Sequence, residues 1–260
     1  MKRIAKCAVV SLLAVLVGAC SSTPSYPQPQ GTEGQILVQL RGEAKEGVSG
    51  PKKREVRGEY SVTRESVEKG ANFERVDYDE IEDVVVVVRR NGVEPSPPFN
   101  LNRKDDTGTL ELDEDGFSRQ QALSWLVTDK AGKTYASQTL KNGTEAAVTV
   151  FAFSDDDGFE VTIQPGKQAT IEIGSAGIFE VFCDEIESAH CFLYVTGSDD
   201  AWIGSSDDSA FFNDLAPGDY TVTVYPPRLP EWSKRLTVAP GKRETVTAEL
   251  TVNKLPKVSK

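Results

Sequence analysis

The sequence predicts an all-β protein, and three observations carry that prediction. Apolar residues recur in short runs, many of them alternating with polar ones. Gly, Pro, Asp and Asn separate the runs. Beyond the first nineteen residues no stretch sustains a 3.6-residue period for three turns. Ile36, Val38 and Leu40 alternate with polar neighbours, the pattern of a half-buried strand. Asp83 to Arg89 encloses five consecutive valines, the strongest candidate for a central buried strand, and Asn91-Gly92 offers a turn after it. Further strands are expected at 123–127, 146–153, 159–163, 169–173, 178–182, 192–196, 210–212, 220–225, 235–238 and 245–252. Residues 64–70 and 116–121 have room for one helical turn each, nothing longer. Two segments echo one another: Val161 to Ile173 and Leu236 to Thr247 each read strand, Pro-Gly turn, strand. Proline fixes φ at the first turn position and glycine supplies a positive φ at the second, so hairpins converge on this pattern.

The N-terminus has a different composition. Met1 to Lys6 carries three bases, and Cys7 to Ala19 is almost wholly apolar. As a helix the apolar run covers about 20 Å, too short for a hydrocarbon core of about 30 Å, so it reads as an export signal. It closes with Leu16-Val17-Gly18-Ala19-Cys20, which resembles the lipobox of bacterial lipoproteins. That resemblance implies cleavage after Ala19 and acylation of Cys20. Ser21 behind the cysteine resembles the sorting signal for the outer membrane. A Pro/Ser/Gln/Gly-rich stretch, residues 20–33, is expected to be a flexible tether. Removing nineteen residues that hold three bases and no acid takes the formal charge from −11 to −14. Such a charge argues against nucleic acid and anionic lipid headgroups as partners. The membrane is reached through the lipid alone.

Gly177-Ile178-Phe179-Glu180-Val181-Phe182-Cys183-Asp184 resembles the end of a plastocyanin-type cupredoxin domain, where a strand of this form delivers the copper cysteine. Leu140 to Phe151 resembles the stretch bearing that family's first histidine, and Tyr78 to Val86 its early strand. Ala210-Phe211-Phe212-Asn213-Asp214-Leu215-Ala216-Pro217-Gly218-Asp219-Tyr220-Thr221-Val222 is similar to a carboxypeptidase-regulatory-like, or transthyretin-like, segment. The resemblance spans residues 34–252. It implies a cupredoxin-like or immunoglobulin-like β-sandwich over 34–197, an appended transthyretin-like segment over 198–253 and a tail over 254–260. The copper ligands do not carry over. The first histidine falls on Val148, the second near Ile186 or Glu187, and the chain has one histidine, His190, and one methionine, Met1. Blue copper needs two imidazoles beside the thiolate.

What remains is Cys183-x6-His190-Cys191, which, besides free thiols or a cross-link to a partner, suits two arrangements. One is a Cys183–Cys191 disulfide, natural in an oxidising compartment. The other is a metal site on Cys183, His190, Cys191 and a carboxylate. The acidic clusters at 113–115, 155–157, 199–200 and 207–208 supply oxygens of the kind calcium takes, yet none has the twelve-residue loop spacing. They fall where turns are expected. No nucleophile motif accompanies His190, and no glycine-rich phosphate loop follows a strand. Trp125, Trp202 and Trp232 are expected in packing rather than on a carbohydrate platform. The sequence therefore predicts a lipid-anchored envelope protein without enzymatic activity or cofactor, facing the periplasm from the outer membrane. Its role would be binding or structural, toward an envelope protein or a glycan that the sequence does not identify. Metal handling through Cys183, His190 and Cys191 is the alternative.

Overall fold

The computed structural model describes residues 26–44, 80–93, 108–155, 157–197 and 200–253. The expected signal peptide, Cys20, the early resemblance at Tyr78, the helical turn at 64–70 and the tail at 254–260 lie wholly or partly outside these residues. The described residues form seventeen strands and no helix, arranged as two β-sandwiches.

The first sandwich takes the middle of the chain. One layer joins β3 (Leu110–Asp113), β4 (Gly116–Phe117), β6 (Val127–Thr128), β7 (Thr134–Asn142) and β10 (Gln168–Ile173). The other runs β5 (Gln121–Trp125), β12 (His190–Thr196), β11 (Gly177–Cys183), β8 (Val148–Phe153), β9 (Gly158–Ile163). Leu110, Leu140, Val150, Phe179, Val181 and Leu193 fill the space between the layers. The helical turn expected at 116–121 is absent: Gly116 and Phe117 pair back onto β3 as a tight hairpin. β7 is a nine-residue strand that hydrophobic alternation does not reveal, because two of its inward positions are polar. Gln138, fully buried, accepts a hydrogen bond from Ser124 Oγ (2.9 Å) across the core and donates to the Gly108 carbonyl (2.9 Å). Asn142, equally buried, donates to the carbonyls of Ala146 (2.7 Å) and Ile163 (2.9 Å) and accepts from Thr144. Satisfied in this way, both amides stay inside without the desolvation penalty of an unpaired group.

The second sandwich corrects the division expected near residue 197. Its smaller sheet is β14 (Ser209–Leu215), β1 (Gly34–Gly42), β17 (Arg243–Leu250). Its larger is β13 (Ala201–Gly204), β2 (Val84–Arg90), β15 (Gly218–Tyr225), β16 (Trp232–Val238). β1 and β2, expected to open the first sandwich, instead complete the second, so the segment after 197 does not stand by itself. β1 lies parallel to β17 over its whole length and β2 is antiparallel to β15. The first sandwich is thus inserted between β2 and β13 of the second. The Leu-x-Pro-Gly-x-Tyr stretch has a local reason. Tyr220 donates its hydroxyl to the Ala216 carbonyl at 2.7 Å, and Arg90 donates to the Pro217 carbonyl at 2.7 Å. Gly218 sits at φ 153°, and a Cβ there would stand 2.9 Å from Arg90 Nε. The positive φ is what favours glycine here, since the flexible Arg90 side chain can shift. The Pro-Gly turns form as expected: Lys167 N donates to Gln164 O (3.0 Å) and Lys242 N to Ala239 O (3.2 Å), with Gly166 and Gly241 at positive φ.

The two sandwiches pack face to face. Val84, Val86 and Val88 of β2 point into the second core, while Val85 and Val87 point the other way, against Leu123 and Tyr194 of the first sandwich. Tyr194 and Tyr225 meet there with ring centroids 4.9 Å apart. The unbroken valine run is explained: both faces of β2 are dry, one in a core and one in an interface. Asp83, at φ 56°, joins the parts at the start of β2, its carboxylate accepting the Gln120 N–H at 2.9 Å. The expected tether is also shorter than residues 20–33. Tyr26 stacks on Phe211 at 4.8 Å, and Arg243 reaches the carbonyls of Tyr26 and Pro27, which fixes the chain from Tyr26 onward.

Candidate binding face

The outer face of the β5–β12–β11–β8–β9 sheet carries an aromatic surface built by simple alternation. In β8, Val148, Val150 and Ala152 enter the core, so Thr149, Phe151 and Phe153 point out. In β11, Phe179, Val181 and Cys183 enter, leaving Ile178, Glu180 and Phe182 outside. In β12, Cys191, Leu193 and Val195 enter, while His190, Phe192 and Tyr194 face out. Register then brings the rings together, because Phe151 lies opposite Phe182 and Phe182 opposite His190. Phe182 stacks on Phe151 at 5.5 Å, on Phe153 at 5.6 Å and on His190 at 4.8 Å, and Phe192 meets the His190 ring edge-on at 4.8 Å. Cross-strand aromatic pairs of this kind contribute about 0.2–1 kcal/mol each. Phe153 is 51% exposed and Ile178 43%. Two carboxylates stand among them: Glu160 opposite Phe151, and Glu180 between Phe153 and Phe192. A contiguous exposed apolar patch with polar groups set into it is the mark of a contact surface. The sequence held the signal, since in Val-Thr-Val-Phe-Ala-Phe the large rings occupy the phase opposite the small core residues.

Cys183 and Cys191 are separate buried thiols, which corrects the expected disulfide. The register explains it. Cys191 lies opposite Val181, so Cys183, two residues along β11, is its diagonal neighbour. Diagonal side chains are roughly 7 Å apart, whereas a disulfide holds the Cβ atoms about 3.8 Å apart. Cys183 donates to Glu185 Oε2 at 3.4 Å, and burial holds the thiol proton beyond the ordinary range. Burial does the same, more strongly, at Cys191. Glu185 is held low by the Thr149 N–H, 2.7 Å from its carboxylate. At both positions burial disfavours the thiolate form that nucleophiles use. The alternative metal set fails on direction as well, because Cys191 points into the core and His190, its neighbour on β12, points to solvent.

Several of the remaining candidates have structural roles, while Asp156 and Asp199 of the acidic clusters lie outside the described residues. Val148, in the place of the cupredoxin histidine, is sealed in the core. Asp113 Oδ1 accepts the N–H groups of Asp115 and Gly116; Asp208 Oδ2 accepts from Ser205 N and Oγ; Asp157 accepts from Gly158 N and Ser175 Oγ. These aspartates cap turns. Among the described residues no three His, Cys, Asp or Glu side chains gather as a metal ion would need. Trp125 packs in the inter-sandwich interface, and Trp202 and Trp232 pack against the second core, so they form no common platform. No helix of the described residues is long and apolar enough to cross a membrane.

No family model matches the chain, and no curated protein matches it. Among solved structures, a copper(I) form of an amicyanin variant is similar over 42% of this chain and 98% of its own, with 12% identity and a TM-score of 0.29. An oxidised form of another amicyanin variant covers 42% of this chain and 99% of its own, with 10% identity and a TM-score of 0.29. At such identities the likeness concerns fold alone.

Proposed function

We propose that this chain is a lipid-anchored protein of the cell envelope with a non-catalytic binding role. The leader exports it, Cys20 carries the lipid at the periplasmic face of the outer membrane, and the two packed sandwiches present the aromatic face of β8, β11 and β12. We read the inserted sandwich as cupredoxin-like without a copper site and its host as transthyretin-like. The observation that carries the binding role is the bare aromatic face itself: Phe153 lies half in water although its strand belongs to a well-filled sandwich. Two measurements test the reading. Wild-type protein should partition into detergent with acyl mass on Cys20, while Cys20→Ala should leave an uncleaved or mis-sorted precursor; mature protein without acyl mass overturns the anchor. A photo-crosslinking residue at position 153 should capture an envelope component in cells, and one at Glu172, exposed on the opposite layer, should not. Equal capture at both positions, or none at 153, overturns the binding role.

A further inference from the structure

The charge pattern around the aromatic face narrows its occupant. From Asn142 to Pro227 the chain has one lysine, Lys167, no arginine, and sixteen carboxylates. All four strands β8, β9, β11 and β12 lack a basic residue other than His190. The turn between β11 and β12 adds Asp184, Glu185 and Glu187. Glu160 and Glu180 stand within the rows themselves, separated by two strands and one row, roughly 12 Å at sheet spacings. Within these four strands and the turn after β11, every formally charged side chain is a carboxylate, set around an apolar middle.

Three occupants fit it badly. A second copy would bring carboxylates against carboxylates, and like-charge juxtaposition costs several kcal/mol at an interface. Anionic lipid is repelled for the same reason. A sugar ring stacks on an aromatic face, but here Phe151, Phe182 and His190 lie nearly parallel, with interplanar angles of 19–20°, each face turned toward its neighbour. The rings therefore offer edges to solvent. We propose, resting on the binding role above, that this face docks a polypeptide segment carrying both apolar and cationic side chains. Its apolar side chains seat across Phe151, Phe153 and Phe182, and its cations meet Glu160 and Glu180. An extended segment spans the two carboxylates in about four residues, since it advances about 3.3 Å per residue.

The test uses the full mature chain made lipid-free by Cys20→Ser. The probe is a synthetic peptide of three Leu-Leu-Lys-Lys repeats, whose extended form shows Leu and Lys alternately on each side. His190, the chain's single histidine, serves as a reporter by NMR because it lies within the face. The peptide should bind saturably, shift the His190 ring signals and weaken as salt rises. Phe153→Ser, and separately Glu160→Lys with Glu180→Lys, should each weaken it by about tenfold or more, the equivalent of 1.4 kcal/mol. Glu172→Lys on the opposite layer should leave it unchanged. An unchanged melting temperature shows that these variants are folded. Absence of saturable binding overturns the proposal, as does equal binding of Ser-Ser-Lys-Lys or Leu-Leu-Glu-Glu repeats. So does equal weakening by Glu172→Lys, or concentration-dependent dimerisation abolished by Phe153→Ser. If the peptide fails while the crosslinker at 153 still captures its component, only the cationic-segment assignment falls; if both fail, the binding role falls with it.

Discussion

β2 and β8 occupy comparable places in their sandwiches, and both turn apolar side chains away from their own core. β2 presents Val85 and Val87, which lie buried against Leu123 and Tyr194. β8 presents Phe151 and Phe153, and nothing within the described residues covers them fully. Burying a valine stabilises by about 1.5–3 kcal/mol, so the outward side of β2 contributes to holding the molecule together. The outward side of β8 makes no comparable contribution. The difference lies in residue choice. Small β-branched side chains fit the flat gap between two sheets, whereas large rings are enriched where a surface meets a partner. A continuous valine run therefore marks a strand covered on both sides, and small-in, aromatic-out alternation marks a strand left open on one.

Truncation is expected to disrupt the molecule most severely. A chain ending at Gly197 loses β13 to β17, leaving β1 and β2 without the strands they pair with and baring Leu123 and Tyr194. It is expected to be insoluble or to melt without cooperativity in calorimetry; a sharp melt would show that the inserted sandwich tolerates both orphan strands. Next comes Val85→Asp. A carboxylate placed in the dry interface opposite Tyr194 should cost about 3 kcal/mol or more in denaturant unfolding.

A smaller effect is expected at the joint. Burial raises the Asp83 carboxyl above its ordinary value, outweighing the Gln120 N–H and the nearby Arg119. The folded state thus binds this proton more tightly than the unfolded chain, so its contribution is full below about pH 3.9 and is lost as pH rises through the raised value. Asp83→Asn keeps an acceptor for Gln120 and tolerates the positive φ. It should melt above wild type at pH 7, with the difference vanishing below pH 4. The smallest change is Phe153→Ser, expected within about 0.5 kcal/mol of wild type because the ring is already half in water. A loss like that of Val85→Asp would mean that the face is structural.

Much of this architecture was legible. β8 to β12, β15 and β17 follow from alternation and from Pro-Gly turns, and the valine run announced a central buried strand. β7 was not, because Gln138 and Asn142 sit inside and hide the apolar phase; their hydrogen bonds exist only in three dimensions. Nor does Ile36-x-Val38-x-Leu40 say which sandwich it joins, since the pattern is the same for either partner. The cysteines misled for a related reason. A spacing of eight places two residues near each other in a hairpin, but only the register decides whether they lie opposite or diagonal. The aromatic face was readable, yet rings on the polar phase pass unnoticed until the strands that align them are known.

The pairing of β1 with β17 has a consequence for assembly. Gln35 and Arg243 are hydrogen-bonded neighbours separated by 208 positions, so the first of the described strands pairs along one edge with the last of them. Closing so long a loop adds little to the equilibrium cost, which grows only logarithmically with length, but it slows the search. The inserted sandwich needs only contacts within its own stretch of chain. Once formed, it leaves β2 and β13 emerging side by side, which shortens the path the host must still close. The contacts of the insert are all nearer in sequence than the β1–β17 pairing, so topology makes that closure the entropically most demanding step.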